Sequence, residues 1–204
     1  MIQEMLVVKK IVLTGGSSGG KTTTIAELRK VFSKEVAFIP EVATIILSSG
    51  PFAYKQMALE EKWQFQKAIL VLQKAIEESF EHLSVHASIA VCECGLLDGA
   101  AYVPGGLETF CRYFNLDEQK VFAQYTTVIH LESVATGAPS IYKRTANNPF
   151  RYETLEEARA NEYALRMVWQ KHPNYHFVSC EKGLEGKISY VQKIIGKLLV
   201  SNKK

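Results

Sequence analysis

The sequence has little of what would place it outside the ordinary soluble globular proteins. It has only four cysteines in 204 residues, which are too few and too irregularly spaced for a disulfide framework. No stretch approaches the roughly 20 apolar residues that a membrane-spanning helix needs. The charges near the start do not come in the order of a signal peptide. We therefore expect a cytoplasmic protein with reduced thiols.

A strong charge of one sign is also missing. Lys and Arg total 24 against 21 Asp and Glu, a formal net charge of +3. Nucleic-acid-binding domains usually carry a strong and clustered basic charge, so we expect no nucleic-acid partner. The slight basic excess suits a protein that holds small phosphorylated ligands. Hydrophobic residues make up 47% and charged residues 22%, which excludes a disordered or collagen-like chain.

Neither a repeat nor a Pro/Gly/Ser-rich linker divides the sequence, so we expect one domain over residues 1–204. Short apolar runs alternate with amphipathic segments of helical period. The predicted strands are 11–13, 36–39, 88–92, 127–131 and 175–178. The helices between and after them are predicted at 21–32, 56–83, 115–124 (capped by Asn115), 154–169 and in the last 20 or so residues. This order predicts an α/β fold with a five-stranded, mostly parallel sheet and helices on both faces.

The strongest motif follows the first predicted strand. It matches the phosphate-binding pattern G-x-x-x-x-G-K-[ST] at every fixed position and consists of Gly15, Gly16, Ser17, Ser18, Gly19, Gly20, Lys21 and Thr22. The glycines let successive N–H groups point at a phosphate, and the following helix adds its partial positive charge. Lys21 can reach the β and γ phosphates, and the Thr22 hydroxyl can ligate Mg²⁺. We expect these residues, with Thr23, to bind ATP or GTP.

Carboxylates follow two other strands at the edge where ligands bind in such sheets. Glu93 ends the third strand and is predicted to hold Mg²⁺ with Thr22, directly or through water, if the first and third strands are neighbours. Otherwise it is an acidic turn residue. Glu41 follows Pro40 and either orients or deprotonates an acceptor hydroxyl or is a solvated loop residue. Asp98 is a weaker candidate for the same edge.

Residues 132–152 are rich in turn-forming and basic residues and are predicted to form a short lid. A closing loop can place positive charge over a migrating phosphoryl group and exclude water. The candidate cations are Lys143, Arg144 and Arg151; alternatively they form a solvated face. Four aromatic residues could line an acceptor pocket or belong to the core: Phe52, Tyr54, Tyr102 and Phe110.

These features resemble a small P-loop family classed as AAA-like ATPases. It includes the ribosylnicotinamide kinase domain of the bacterial NAD regulator, and eukaryotic translocation-defect proteins that bind GTP and phosphoinositides. The resemblance covers residues 14–24, 39–43, 92–102 and 148–159, and Pro-Glu-x-Ala at 40–43 and Asn-Pro-Phe-Arg-Tyr-Glu-Thr-Leu-Glu-Glu-Ala at 148–158 are its most specific parts. It implies that Arg151 lies in the lid or at its edge.

One position departs from the family pattern. The family and nucleoside kinases usually have an acidic residue followed by arginine at the end of the third strand, where this chain has Glu93 and Cys94. The arginine grips substrate or phosphate, and a thiol cannot replace its charge. Arg112 is a candidate to replace it in space.

Two functions of different class remain open. The first is a Mg²⁺-dependent small-molecule kinase that transfers the γ-phosphoryl group of ATP or GTP to a nucleoside-like acceptor with a free hydroxyl. Its catalytic residues would be Lys21, Glu41, Glu93, Arg144 and Arg151. The second is a nucleotide-dependent switch or slow NTPase that acts through a protein or lipid partner, without the Asn-Lys-x-Asp motif of Ras-like GTPases. A binder that holds nucleotide without turnover is a third, weaker alternative.

Overall fold

The five predicted apolar runs form the strands of one sheet. The computed structural model describes residues 8–83, 87–142 and 153–201. Its strands are β1 (Lys9–Thr14), β2 (Val36–Ile39), β3 (Ile89–Glu93), β4 (Tyr125–Leu131) and β5 (Tyr175–Val178). They lie in the order β2-β3-β1-β4-β5, and every neighbouring pair is parallel. The predicted α/β fold is confirmed, and this sheet is entirely parallel.

Helices cover both faces of the sheet. They are α1 (Lys21–Phe32), α2 (Val42–Ser48), α3 (Leu59–Leu83), α4 (Gly106–Tyr113), α5 (Glu118–Phe122), α6 (Val134–Gly137), α7 (Leu155–Trp169) and α8 (Gly183–Ser201). Short 3-10 turns span Tyr54–Gln56, Asp98–Tyr102, Pro139–Ile141 and Cys180–Lys182. None of these described helices is long and apolar enough to cross a bilayer.

Alternate residues of each strand supply two separate hydrophobic clusters, because successive side chains of a strand point to opposite faces. On one face, Ile11 and Leu13 of β1 pack with Leu28 of α1 and Ile195 of α8. On the other face, the cluster includes Val12 of β1 and reaches α3, α4, α5 and α7. A sheet covered on both sides explains why the strands are continuous apolar runs rather than alternating ones.

The structure corrects the predicted start of α5. Asn115 has a φ of +51°, a left-handed conformation that does not fit the extended backbone of an N-cap. Asp117 is the cap instead, because its Oδ1 accepts hydrogen bonds from the N–H groups of Gln119 and Lys120 at 3.0 and 3.1 Å. By contrast, the Thr154 capping box at the start of α7 is present as predicted.

Two helices outside the proposed lid were absent from the prediction. α2 has only seven residues and starts directly after Pro40 and Glu41, so it shows too little of the helical period to be recognised. α4 begins at Gly106, in the stretch between the third predicted strand and the helix predicted at 115–124, where the sequence pattern predicts no element. α2 changes the surroundings of the binding edge, since it carries Glu41 at its N-cap.

The proposed lid is only partly described. Its first part contains α6 and the 3-10 turn at Pro139–Ile141, where no regular structure was predicted. Residues 143–152, with Lys143, Arg144 and Arg151, lie outside the described residues. The lid and the single-domain boundary therefore stay predictions.

A buried carboxylate ties three elements together at the carboxyl end of the sheet. Asp98 accepts hydrogen bonds from the Thr14 hydroxyl at 2.8 Å, the Gly95 N–H at 2.9 Å and the Trp169 indole N–H at 2.9 Å. Burial raises the pKa of Asp98, and these three donors oppose that shift. Asp98 thus joins β1, the loop after β3 and α7, which gives it a structural role; a functional role for it at this edge stays a prediction.

Removing one of these donors should destabilise the fold. We expect Trp169→Phe to lower the free energy of unfolding by about 1–3 kcal/mol, because a buried charged acceptor loses a hydrogen bond and the core loses volume. Urea unfolding measures the change. Tyr163→Phe on the same helix is the control, since Tyr163 is 66% exposed. Equal unfolding midpoints for the two variants would contradict the role given to Asp98.

Candidate functional site

The glycine-rich loop turns sharply between β1 and α1. Gly15 has a φ of +128°, and a Cβ there would lie 2.1 Å from the Leu131 carbonyl oxygen, so no larger residue fits. Gly20 has a φ of +93° and precedes the first residue of α1, Lys21. The Lys21 ammonium folds back over the loop and donates to the Gly15 and Gly16 carbonyl oxygens at 2.5 and 3.3 Å. The loop therefore has the wrapped form that phosphate binding needs.

The two predicted metal-binding residues lie side by side. β1 pairs with β3, and Leu13 lies opposite Glu93, which meets the geometric condition set for Glu93. The Thr22 hydroxyl donates to Glu93 Oε1 at 2.6 Å. A magnesium ion at this point would take most of its oxygens from phosphate and water, because the described residues contain no cluster of three metal-ligating acids, histidines or cysteines. One hydroxyl and one carboxylate fit that requirement.

A second buried carboxylate supports the loop from the α7 side. Glu162 Oε2 accepts the Gly16 N–H at 2.6 Å, and Glu162 Oε1 lies 2.8 Å from His130 Nε2. Burial raises the pKa of Glu162, but the hydrogen bonds and charge of its partners outweigh burial and leave the pKa below its usual value. Sequence reasoning gave His130 no role and did not single out Glu162, because only the packing of α7 on β4 brings them together.

A buried lysine supports the loop from the opposite face of the sheet. Lys187 of α8 is 3% exposed, and its ammonium donates to the Gly19 and Glu132 carbonyl oxygens at 3.1 and 2.5 Å. The Ser133 hydroxyl also donates to the Ser17 carbonyl oxygen. The backbone of the loop is thus fixed from both faces.

A cavity of about 670 Å³ opens beside the loop at Ser17 and Lys21. α2, α3, the loop after β3 and the first turns of α7 form its walls. Glu41 lies at this cavity, and its carboxylate accepts the Thr44 hydroxyl. Cys94 faces it, with Sγ 4.0 Å from Glu41 Oε1. Burial raises the pKa of the Cys94 thiol well above its usual value, so Cys94 brings no charge to Glu41.

The far wall of the cavity combines aromatic rings with amides. Tyr54 and Tyr102 line it, and the Tyr54 hydroxyl donates to the Tyr102 carbonyl oxygen at 3.2 Å. Phe52 and Phe110, considered with them, do not line it: Phe52 is 44% exposed and Phe110 belongs to the core. Sequence reasoning missed Gln66, which is 3% exposed and whose Oε1 has no hydrogen-bond partner among the described residues. Its helical spacing on α3 could have indicated an inward-facing position.

A carboxylate from the start of α7 enters the cavity between the loop and the aromatic wall. Glu153 accepts hydrogen bonds from the Ser17 hydroxyl and the Asn161 amide. Burial is the main cause of the raised pKa of the Tyr102 hydroxyl, and the negative charge of Glu153 raises that pKa further. The two groups are therefore near each other. Glu41 and Glu153 therefore both present carboxylates to the cavity.

The described cations at the cavity are lysines rather than arginines. Lys21, Lys55 and Lys62 line it. Arg112 does not, because its guanidinium lies on the surface, 3.9 Å from Glu108, so it does not replace the arginine missing at position 94. Arg144 and Arg151 lie outside the described residues, and their catalytic role stays a prediction.

Comparisons with known proteins point to one family and one fold. A family model described as an AAA domain matches residues 10–185. A structure of deoxyadenosine kinase from M. mycoides, with products dCMP and a flexible dCDP bound, is 15% identical with a TM-score of 0.64 and covers 92% of this chain and 99% of its own. A second structure of that kinase, with bound dATP, has the same identity and coverage and a TM-score of 0.65. No curated protein matches the sequence.

These likenesses show a P-loop fold of the nucleoside-kinase type. They do not show the closer relationship to the ribosylnicotinamide kinase domain or to the translocation-defect proteins, which stays a prediction.

The shape of the loop can be tested at Gly15. We expect Gly15→Ala to lower the thermal midpoint by several degrees and to weaken ATP binding at least tenfold, because the added methyl meets the Leu131 carbonyl at a φ that L-residues avoid. Gly196→Ala is the control: nothing lies within 4 Å of a Cβ there, and helix propensity predicts a gain of about 0.5–1 kcal/mol. Unchanged binding in Gly15→Ala would contradict this account of the loop.

The lowered pKa of Glu162 predicts a pH dependence of stability. A carboxylate whose pKa is lower in the folded than in the unfolded chain stabilises the fold above its unfolded pKa, here about 4.5, and loses that contribution as pH falls through the folded value. The gap in free energy of unfolding between the wild type and Glu162→Gln should therefore stay constant near neutral pH and shrink below about pH 4.5. Urea unfolding at a series of pH values measures it, and a gap that widens in acid would contradict the assignment.

Proposed function

The chain belongs to the AAA domain family of P-loop proteins, and we propose that it is a Mg²⁺-dependent kinase that transfers the γ-phosphoryl group of ATP or GTP to a hydroxyl of a nucleoside-like acceptor. The observation that carries this proposal is the cavity beside Ser17 and Lys21. Its volume of about 670 Å³ lies within the range of small-molecule sites. A protein that only hydrolyses nucleotide needs no second cavity at the phosphate end.

Two groups of residues act at the phosphates, one by binding them and one by holding the metal ion. The loop N–H groups and the Lys21 ammonium hold the β and γ phosphates, and Thr22 and Glu93 provide the oxygens for a magnesium ion. Bound there, the ion would neutralise part of the negative charge on the phosphates. The carbonyl contacts of Lys21 hold its ammonium over the loop, where the β and γ phosphates would bind.

Glu41 serves the acceptor. Its carboxylate lies at the cavity from the N-cap of α2, and the Thr44 hydroxyl orients it. In the proposed reaction the acceptor hydroxyl donates its hydrogen bond to Glu41 and gives up its proton there as the oxygen attacks the γ phosphorus. The diphosphate of the donor nucleotide leaves on the opposite side, next to Lys21.

The remaining walls suit a nucleoside. Tyr54, Phe65 and Tyr102 offer ring surfaces against which a planar base can pack. The Gln66 carbonyl oxygen lacks a partner among the described side chains, so a base with an N–H group would satisfy it. Glu153 can accept a sugar hydroxyl. The similarity to deoxyadenosine kinase supports the same class of acceptor.

One residue favours the alternative of a slow NTPase or switch that acts through a protein or lipid partner. Cys94 stands where the family usually has arginine, and no described arginine lines the cavity in its place. A weakly held acceptor would leave water as the competing nucleophile.

An acceptor-dependent assay separates the two functions. Purified protein is incubated with Mg²⁺ and ATP or GTP, with and without a panel of nucleosides and ribosylnicotinamide. Formation of ADP or GDP is followed. We expect stimulation by at least one acceptor, loss of turnover in Lys21→Ala, and a kcat lower by about 10²–10⁴ in Glu41→Gln. Gln66→Leu should raise the acceptor KM and leave the nucleotide KM unchanged.

Lys30→Ala is the matched control for Lys21→Ala, because Lys30 lies on the same helix and its side chain is 67% exposed. A turnover rate that is the same with and without every acceptor, but that is lost in Lys21→Ala, would favour the switch over the kinase.

A further inference from the structure

One peptide group of the phosphate-binding loop is hydrogen-bonded to charged side chains at both its carbonyl oxygen and its N–H. It joins Gly15 to Gly16: its carbonyl oxygen accepts the Lys21 ammonium at 2.5 Å, and its N–H donates to Glu162 Oε2 at 2.6 Å. A carboxylate, a peptide dipole and an ammonium therefore lie in one hydrogen-bonded series. Hydrogen bonds in such a series polarise one another and strengthen together in a poorly hydrated interior.

From this series we infer that Glu162 is the positioning residue for Lys21. The negative charge on the N–H side of the peptide draws electron density toward its carbonyl oxygen, which makes that oxygen a better acceptor for the ammonium. Glu162 thereby fixes the position from which the ammonium would contact the phosphates, although Glu162 belongs to α7 and does not line the cavity.

His130 holds Glu162 in place. Its Nε2 lies 2.8 Å from Glu162 Oε1, His130 is fully buried and Glu162 is 3% exposed, and no described residue bonds to the other ring nitrogen, Nδ1. With both of its oxygens engaged, the carboxylate cannot rotate away from Gly16. Hydrogen bonds that involve an ionised group are about twice as strong as neutral ones, so the charge matters as well as the shape.

Glu162→Gln tests this role with little change in volume. Its amide can still accept the Gly16 N–H and donate to His130, because the imidazole can exchange which nitrogen carries the proton. The bond to Gly16 then survives without its charge. We expect the dissociation constant for ATP to rise about fivefold, the factor that follows when the difference between a charge-assisted and a neutral hydrogen bond stabilises the ATP-bound form and not the free form. Glu156→Gln, an exposed carboxylate on the same helix, should leave that constant unchanged.

A spectroscopic signature separates positioning from a general loss of stability. Protein labelled with carbonyl-¹³C,¹⁵N-glycine shows ¹³C-coupled amides only where glycine follows glycine, which in this sequence are Gly16, Gly20 and Gly106. The ligand-free wild type should show one of these amide protons far downfield, because it donates to a carboxylate. In Glu162→Gln that one signal should move upfield while the other two stay.

Three unmoved signals would overturn the inference. So would a lowered thermal midpoint with an unchanged ATP dissociation constant, which would give Glu162 a structural role only. The inference rests on the nucleotide-binding part of the proposed function. The amide signals are read without ligand, and ATP binding is read without acceptor, so a failure of acceptor phosphorylation would leave both results intact.

Discussion

The backbone of the phosphate-binding loop must keep a fixed shape to wrap a phosphate, and much of the surrounding structure meets that constraint. Glu162 holds the loop at Gly16 from α7, and Lys187 holds it at Gly19 from α8. Both side chains are nearly excluded from water, where an unpaired charge would be costly. The loop therefore lies between two opposite buried charges, each satisfied by loop backbone and by residues at or just beyond the strand ends.

The parallel sheet decides which groups can meet around that loop. β1 lies at the centre with β3 on one side and β4 on the other. The β3 side brings Glu93 to Thr22 and opens onto the cavity with Glu41, whereas the β4 side brings His130 and Leu131 to the back of the loop. The carboxylates proposed for the metal and the acceptor hydroxyl, Glu93 and Glu41, thus lie on the β3 side, and His130 and Leu131 lie on the other.

Local sequence was sufficient for the elements with a clear period and for the motif with fixed spacing. α1 and β5 have the predicted bounds, and the loop residues stand at the end of β1, because glycine spacing and apolar period are local properties. Contacts between distant segments could not be read in this way. Glu162 and Gly16 are 146 residues apart, and Gln66 becomes a cavity residue only through the way α3 packs against β2 and the turn at Asp98–Tyr102. Asn115 failed as a cap because its backbone is left-handed, and Asp117, two residues later, accepts the first free N–H groups of the helix instead.

The central claim is that the phosphoryl group is transferred to the hydroxyl of an acceptor bound in the cavity beside Lys21, rather than to water. The most direct measurement follows the γ phosphorus itself by ³¹P NMR in a mixture of protein, Mg²⁺, ATP and nucleosides. The account predicts a new phosphomonoester signal that grows as the γ signal of ATP decays. Growth of inorganic phosphate alone, at a rate unaffected by any nucleoside, would contradict it.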